Sequence, residues 1–545
     1  MVKSFFSLLS SRQTSILSGA TILMVAVFAS RFLGLIRDRM LVHYFDTSQT
    51  DIFFAALRLP DLMFQLLIFG SLSVAFIPVF TDFLNKKGEG EAFEFASNIL
   101  NLSLVFFLLI EIIIFFFVSP LNSLILWGFT GERKEITDQL TRLALISQMI
   151  LIVGSFFIGI GQSFQRFIAP ALAPLFYNLG IIAGIALFSP FFGIAGPIMG
   201  VILGSFLHVA VQIPLIISLG FKYKLTFNFF NSGVREIFKL MSIRNIGLAA
   251  EQISDTIAVS LASLISPYSI TLLTFAQHLQ AVPIGLFGAT IAQAALPVLS
   301  KEYSKGEMEQ FKITLLTTMH QILFLTLPAA SILIILRIPV VRLVFGASQF
   351  NWADTVLTGR TVAFLAAGLA AQSVILLLVR SFYAIKDTRT PVLVSIVTVI
   401  INILLSLFFT VILKMDVWGL GVAYAISTNI SLVMLIVFLH NKIGGFNMDN
   451  FVVPAFKMSV AATIAAIALY IPMKALDQLV FDTTRTINLI ILTGIASFFG
   501  LSIYLILVWL MRVRELHTYI ELLKKFGRMK VLFPTKEIVN DPTST

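Results

Sequence analysis

Runs of about 20 largely apolar residues recur along the whole chain, and no other feature constrains its fold so tightly. They fall near 15–36, 55–84, 94–118, 137–160, 168–188, 194–218, 243–266, 270–298, 312–336, 355–384, 389–413, 417–439, 452–473 and 486–511, about fourteen in all. A helix rises about 1.5 Å per residue, so each run matches the roughly 30 Å hydrocarbon core of a bilayer. In lipid, every backbone N–H and C=O must be satisfied within its own segment, which leaves the helix as the spanning element. The expected class is all-α transmembrane, with about 14 helices. Run 55–84 stands apart because it is long and holds Arg58 and Pro60; it is expected to be bent or partly interfacial.

Composition argues against a soluble alternative. Of 545 residues, 58% are apolar and 12% charged, where a soluble domain carries about 25% charged residues. A compact soluble core cannot bury so much apolar surface. The net charge of +10 does not point to nucleic acid, because Lys and Arg form short clusters between apolar runs, as loops facing an anionic leaflet do. Cysteine is absent, which excludes disulfides and thiolate metal sites. The first apolar run follows Lys3 and Arg12 without a small-residue cleavage site and reads as an uncleaved span.

The positive-inside bias puts both termini in the cytoplasm. Lys86, Lys87, Arg166, Lys222, Lys224, Arg235, Lys239, Lys301, Lys305, Arg380, Lys386 and Arg389 then share that side with the tail residues Arg512, Arg514, Lys524, Lys525, Arg528 and Lys530. Loops 189–193 and 266–270 carry no charge. Segment 221–243 is basic and amphipathic, and reads as an interfacial helix or a hinge.

The two halves repeat. Residues 75–93 (AFIPVFTDFLNKKGEGEAF) resemble 294–311 (AALPVLSKEYSKGEMEQF), with Pro78 over Pro297 and Lys87-Gly88-Glu89 over Lys305-Gly306-Glu307. Ser163-Phe164 matches Ser381-Phe382 in nearly the same register, an offset of 218. Such an offset crosses an even number of spans, so the repeat is parallel, a transporter construction with a cavity between bundles. The expected domains are a bundle at 1–220, a cytoplasmic linker at 221–242, a second bundle at 243–445, two further spans at 446–511 and a basic tail at 512–545.

Ionisable side chains inside spans are costly unless they face a cavity or a partner. Span one holds Arg31, Arg37 and Asp38, and Asp51 and Arg58 open span two. The guanidinium fork suits phosphate oxygens, so these residues point to a cationic cavity for an anion such as a pyrophosphate. Arg39 reads as interfacial. Glu111 sits mid-span in LLIEIII, and Glu251 and Asp255 share one face of span seven. That pair suits Na⁺ or a proton, or else pairing with a nearby cation. His208, His278 and His320 are isolated and read as packing residues, with no metal spacing among them. No GxxxxGK[ST], GxSxG or HExxH motif occurs, so no ATP site or hydrolase site is legible. The energy source is expected to be an ion gradient, the membrane potential or substrate flux, with no cofactor.

SRFLGLIRD at 30–38, with Thr50-Asp51 and Arg58-Leu59-Pro60-Asp61, resembles the opening signature of the MurJ/MviN lipid II flippase family. AFIPVF at 75–80, PVVRLVFGASQF at 339–350 and RSFYAIKDTRTPV at 380–392 are similar to later motifs of that family. The resemblance implies the fold of the multidrug/oligosaccharidyl-lipid/polysaccharide exporter superfamily, two bundles plus two C-terminal spans. It also implies carriage of undecaprenyl-pyrophosphate-linked peptidoglycan precursor across a bacterial cytoplasmic membrane by alternating access. By matching position, Arg31, Arg37 and Arg58 are the cavity cations and Asp51 a polar partner that orients them. The sequence departs from the family pattern at Phe64-Gln65, where a basic pair is usual, at Ile68-Phe69-Gly70-Ser71, and at His278, where an arginine is usual. These departures bear on headgroup specificity; His278 still offers hydrogen-bond donors and joins Arg31, Arg37, Asp51 and Arg58 as an expected substrate-binding residue. The family's sodium ligands match Asn402 and, loosely, Asp255, while Ser406 stands where a carboxylate is usual. The implied partners are a lipid-linked oligosaccharide, membrane lipids and cell-wall synthesis proteins, with a monomeric transporter and no nucleic acid. Two other readings remain: export of another polyprenyl-linked glycan or, as multidrug exporters do, of cationic drugs; or a non-transporting membrane scaffold.

Overall fold

The computed structural model of the chain describes residues 16–66, 70–482, 485–517 and 519–521, and among these no strand occurs. Ten spans, or eleven when a helix pair bent by 43° is counted as one, are long and apolar enough to cross a bilayer. The other three of the fourteen apolar runs are helical too, and they carry Arg31, Arg37, Asp38, Arg58, Glu251 and Asp255. These are α1 (Ile16–Tyr44), the pair α2 (Thr47–Phe64) and α3 (Gly70–Lys87), and α8 (Ser232–Ile265).

In the first half, α4 (Glu89–Ile125), α5 (Gly131–Ser163), α6 (Ile168–Leu187) and α7 (Ala195–Ala210) complete a bundle. There α1 packs on α6, α6 on α7, α5 on α7 and α2 on α5. The second half adds α9 (Ser269–Pro283), α10 (Thr290–Ser304), α11 (Met308–Ile335) and α12 (Arg337–Phe345), followed by the bent pair α13 (Trp352–Ala367) and α14 (Leu369–Ala384). It closes with α15 (Arg389–Leu407) and α16 (Trp418–Lys442). The pairing is the same: α8 on α15, α15 on α16, α13 on α16 and α9 on α13.

Left-handed turns mark the repeat as well. Gly88 (φ 85°) corresponds to Gly306 (φ 75°), Gln165 (φ 59°) to Lys386 (φ 60°), and Gly193 (φ 54°) to Lys414 (φ 51°). The first pair keeps the sequence offset of 218, but the other two stand at 221. The match of Ser163-Phe164 with Ser381-Phe382 is therefore one helical turn out of structural register. The C-terminal turns that do correspond close on Arg166 N–H to Gly161 O and Asp387 N–H to Phe382 O, both at 2.9 Å.

Run 55–84 is covered by α2 and α3, on either side of residues 67–69. Pro60 deprives α2 of a backbone donor, and a π-type turn follows at 65–66. The second half has the same device, with Pro283 followed by a π-helix over Ile284–Ala289. Segment 221–231 forms no interfacial helix, because α8 begins only at Ser232. It is extended, and side-chain amides of α4 serve as its partner strand. Asn98 exchanges hydrogen bonds with the backbone of Asn228 at 2.6 and 2.9 Å, and Asn101 donates to Lys224 O and Thr226 O at 3.0 Å. The period-two alternation of FKYKLTF suits that conformation.

Helices α6 and α7 meet backbone to backbone. A Cβ added at Gly180 would stand 2.2 Å from Gly204 Cα, and one at Gly184 would stand 2.2 Å from Gly200 Cα. Close approach through small residues is a general means of helix association in lipid. The last two spans, α17 (Met448–Leu479) and α18 (Thr486–Leu510), pack on each other, and α17 packs on α11. Tyr504 donates to Phe324 O at 3.0 Å, and Glu515 beyond α18 pairs with His320 at 3.2 Å. Lys524, Lys525, Arg528 and Lys530 lie outside the described residues.

Candidate functional site

The two halves meet along α1, α2, α3 and part of α4 on one side and α8, α9 and α12 on the other. At the end that holds residues 41–53 the contact is sealed. Leu41, Val42, Phe45 and Phe53 share one buried core with Ile270, Phe275, Phe345 and Phe350. Polar groups latch this seal. Asp51 is fully buried and accepts from Arg133 at 2.5 Å and from the Thr271 N–H at 2.6 Å. Arg133 also donates to Pro267 O at 2.9 Å, Thr47 donates to Asp354 at 3.0 Å, and Arg39 donates to Leu343 O at 2.8 Å. Each of these three bonds joins one half to the other. The structure thus places Asp51 in the seal, paired with Arg133, and not beside the arginines it was expected to orient. Arg39, expected to be interfacial, caps carbonyls of the opposite half.

Below the seal, α1, α2, α6, α8 and α9 bring the remaining site residues together. Asp38 is fully buried and accepts from Arg37 Nε at 3.0 Å and Nη2 at 2.7 Å; its other oxygen lies 2.6 Å from His278 Nδ1. Arg37 also donates to Asn178 at 3.4 Å. Arg58 reaches across the halves to Thr256 at 2.7 Å and to Gln252 O at 3.0 Å. Asp61 accepts from Gln148 at 3.3 Å and lies within electrostatic reach of both Arg37 and Arg58. Asp255 is within the same reach of Arg58, and Glu251 lies near Asp255. Both of these carboxylates are exposed, as is Arg31, which makes no hydrogen bond or ion pair among the described residues. Gln65, at a position of the expected basic pair, accepts from Gln252 at 2.5 Å; Ile68 and Phe69 lie outside the described residues.

The site is therefore not a bare cationic pocket. Arg37 and Arg58 stand among Asp38, Asp61 and Asp255, and both are engaged by protein groups. Spare donors remain: Arg58 Nε is buried without a partner, and Arg31 offers its whole fork. An anion entering here would compete with Asp38 for the N–H groups of Arg37, so binding and rearrangement of the site go together.

Asn402 accepts from Ser254 at 3.2 Å and donates to Ser427 at 3.0 Å, while Ser406 is buried. Hydroxyls occupy the amide on both sides, next to Asp255 in sequence. Among the described residues no group of three His, Asp or Glu is arranged to hold a metal.

Against known proteins, the profile of the family described as "Lipid II flippase MurJ" matches residues 42–489. The chain belongs to the MurJ family. A "Probable lipid II flippase MurJ" of Bdellovibrio bacteriovorus is 27% identical over 511 residues, covering 92% of this chain and 97% of that protein. In fold, the chain matches a solved lipid II flippase MurJ in an inward closed conformation with TM-score 0.74, at 24% identity and over 89% and 98% of the two chains. It also matches an inward-facing multidrug transporter of the MATE family and MOP superfamily, with TM-score 0.63, at 15% identity and over 78% and 98% of the two chains.

For this MurJ-family chain, reading the sequence found the arginines but missed what holds them. Asp38 was visible in span one yet was not placed at the centre of the site. Gln148 and Asn178 are lone amides in apolar helices, a signal that deserved the same weight as a lone charge. Arg133 falls between two apolar runs, in the first turn of α5, and carried no signal of its own.

Proposed function

We propose that this chain translocates lipid II, the undecaprenyl-pyrophosphate-linked peptidoglycan precursor, from the inner to the outer leaflet of the bacterial cytoplasmic membrane. The family match over most of the chain carries the reading. The arginine cluster between the bundles supplies its chemistry: Arg31, Arg37 and Arg58 offer forked donors to pyrophosphate, with His278 as a further polar contact. Both termini are cytoplasmic in this reading, so the sealed end faces outward and the site opens inward. The bundles rock about the site; breaking the Asp51, Asp354 and Arg39 latches opens the other side. The polyprenyl tail stays in lipid, beside α17 and α18.

The test is complementation of a strain depleted of its own lipid II flippase. The wild-type chain restores growth; Arg31→Ala and Arg58→Ala, inserted at equal level, do not. Rescue by both variants removes the arginines from the mechanism, and failure of the well-inserted wild type removes lipid II as substrate. His278, Phe64 and Gln65 favour a second reading, another polyprenyl-linked glycan, because they replace fixed charge with weaker polar or apolar groups.

A further inference from the structure

Residues 221–231 join the two bundles, and nothing in the site described above uses them. Five large side chains stand exposed there in a run of eight: Tyr223, Leu225, Phe227, Phe229 and Phe230, the last of them 100% exposed. A patch of that kind marks a surface that something covers.

Helix α4 sets where the patch lies. Asn98, Asn101, Val105, Leu108 and Ile112 follow one another at steps of three and four residues, so they form one stripe of that helix. From Val105 onward the stripe is apolar and exposed, a surface for lipid. Its first two positions are amides, and there residues 224–228 lie over it, bonded to Ser97, Asn98 and Asn101. The backbone from 224 to 228 extends about 13 Å, yet its partners occupy only about 6 Å of helix. The segment therefore crosses α4 instead of running along it, one turn short of the lipid-facing row.

Its two faces differ, and α4 shows which way each points. Tyr223 donates to Asn101 Oδ1 at 2.6 Å, toward the apolar row, whereas Lys224 pairs with Glu94 at 2.6 Å, toward the charged start of the helix. Side chains alternate along an extended chain, so Leu225, Phe227 and Phe229 share the side of Tyr223, and Lys222 shares that of Lys224. On the edge away from α4, the backbone N–H and C=O groups of Tyr223, Leu225 and Phe227 have no partner among the described residues. Such groups cannot enter hydrocarbon, which keeps the backbone at the level of the headgroups.

We propose that 221–231 is an interfacial strand whose partner is a lipid surface with anionic headgroups. Leu225, Phe227 and Phe229 reach the acyl boundary, and Lys222 and Lys224 lie among the headgroups. That this is the cytoplasmic leaflet rests on the orientation read above; the depth of the strand does not. Helix α8 follows directly at Ser232 and supplies Thr256 and the Gln252 carbonyl to Arg58, so the strand ties that helix to one leaflet.

The chain has no native cysteine, so Lys222→Cys, Phe227→Cys and Phe229→Cys can each carry one nitroxide in the full-length protein. All three side chains are exposed, and Ile113→Cys, exposed in the middle of α4, gives the lipid standard. In proteoliposomes of phosphatidylethanolamine and phosphatidylglycerol, collision with oxygen, which concentrates in lipid, is compared with collision with a neutral nickel chelate, which stays in water. Labels at 227 and 229 should side with the lipid standard, and the label at 222 with water. Replacing phosphatidylglycerol by phosphatidylcholine should lower the oxygen-to-nickel ratio at 227 and 229, and Lys222→Gln with Lys224→Gln should abolish that dependence. Nickel access at 227 and 229 equal to that at 222 overturns the proposal and leaves the free edge to a protein partner. Exclusion of both reagents there also overturns it, because a second copy would then cover the strand. An oxygen preference indifferent to phosphatidylglycerol overturns the anionic partner. No transport is measured, so the flippase reading stands or falls separately.

Discussion

Single side chains do two different jobs in this molecule: some hold the halves together and others cap loops. Asp51 belongs to the first kind. Asp51→Ala leaves Arg133 facing a buried seal without its counter-ion and orphans the Thr271 N–H. Because Arg133 is partly exposed, the expected loss is about 2–3 kcal/mol, below that of a fully buried broken pair. Thermal unfolding in detergent would measure it, and Arg133→Ala should recover part of the loss in the double variant. Asp387 belongs to the second kind. It accepts from the N–H groups of Arg389 and Thr390 and from Lys442 at 2.5 Å, capping α15 and tying it to α16. Burial pushes its carboxyl up, but the bonds from Lys442 and Thr390 outweigh burial and hold it at about 2. Its stabilising effect is then full above the unfolded value of about 4 and fades as pH falls through about 2. The melting temperature of the wild type should drop across that window, and Asp387→Asn should lack this component. An Asp387→Asn profile parallel to wild type would remove the carboxylate from the account.

At the scale of elements, the apolar runs were legible because lipid makes length and hydropathy nearly sufficient. Boundaries were less so. Of segment 221–243, read as an interfacial helix or a hinge, only 232–243 is helical; in the rest, FKYKLTF alternates with period two, and its hydrogen-bond partners, Asn98 and Asn101, lie over a hundred residues away in the chain. The π-type turn in run 55–84 was signalled by Pro60; its counterpart after Pro283 was hidden inside a run that looked continuous. The packing of α6 on α7 was readable from Gly180 and Gly184 against Gly196, Gly200 and Gly204, a small-residue stripe on each helix. Gly184→Ala puts a methyl where Gly200 Cα stands, so the helices must separate. A destabilisation of about 1–3 kcal/mol is expected. The matched control is Gly494→Ala, where a Cβ meets nothing within 4 Å, and melting of the two variants side by side checks the contrast. Equal melting temperatures would mean that α6 and α7 separate without cost.

For the whole molecule, the repeat carried the most information and hid one detail. The offset of 218 implied two parallel bundles with a shared cavity, and the paired left-handed turns bear out the duplication. The slip to 221 after the first hairpin pair was invisible, because a three-residue shift nearly preserves helix phase and therefore the apolar pattern. What no sequence pattern exposed is which end is sealed, since that depends on contacts between residues hundreds of positions apart. His43 and Ser348 are such a pair, both exposed and joined from Ser348 Oγ to His43 Nδ1 at 3.1 Å. If transport requires the halves to part here, a bond across this pair must stop it without harming the site below. The chain has no native cysteine, so His43→Cys with Ser348→Cys places two thiols on an empty background. Joined by a short thiol cross-linker in proteoliposomes, the double variant should lose lipid II flipping and regain it on reduction, while each single variant flips with or without the reagent. Flipping that continues at the same rate in fully cross-linked protein would show that the outer end opens elsewhere, and the rocking of α1 and α2 against α9 and α12 would have to be given up.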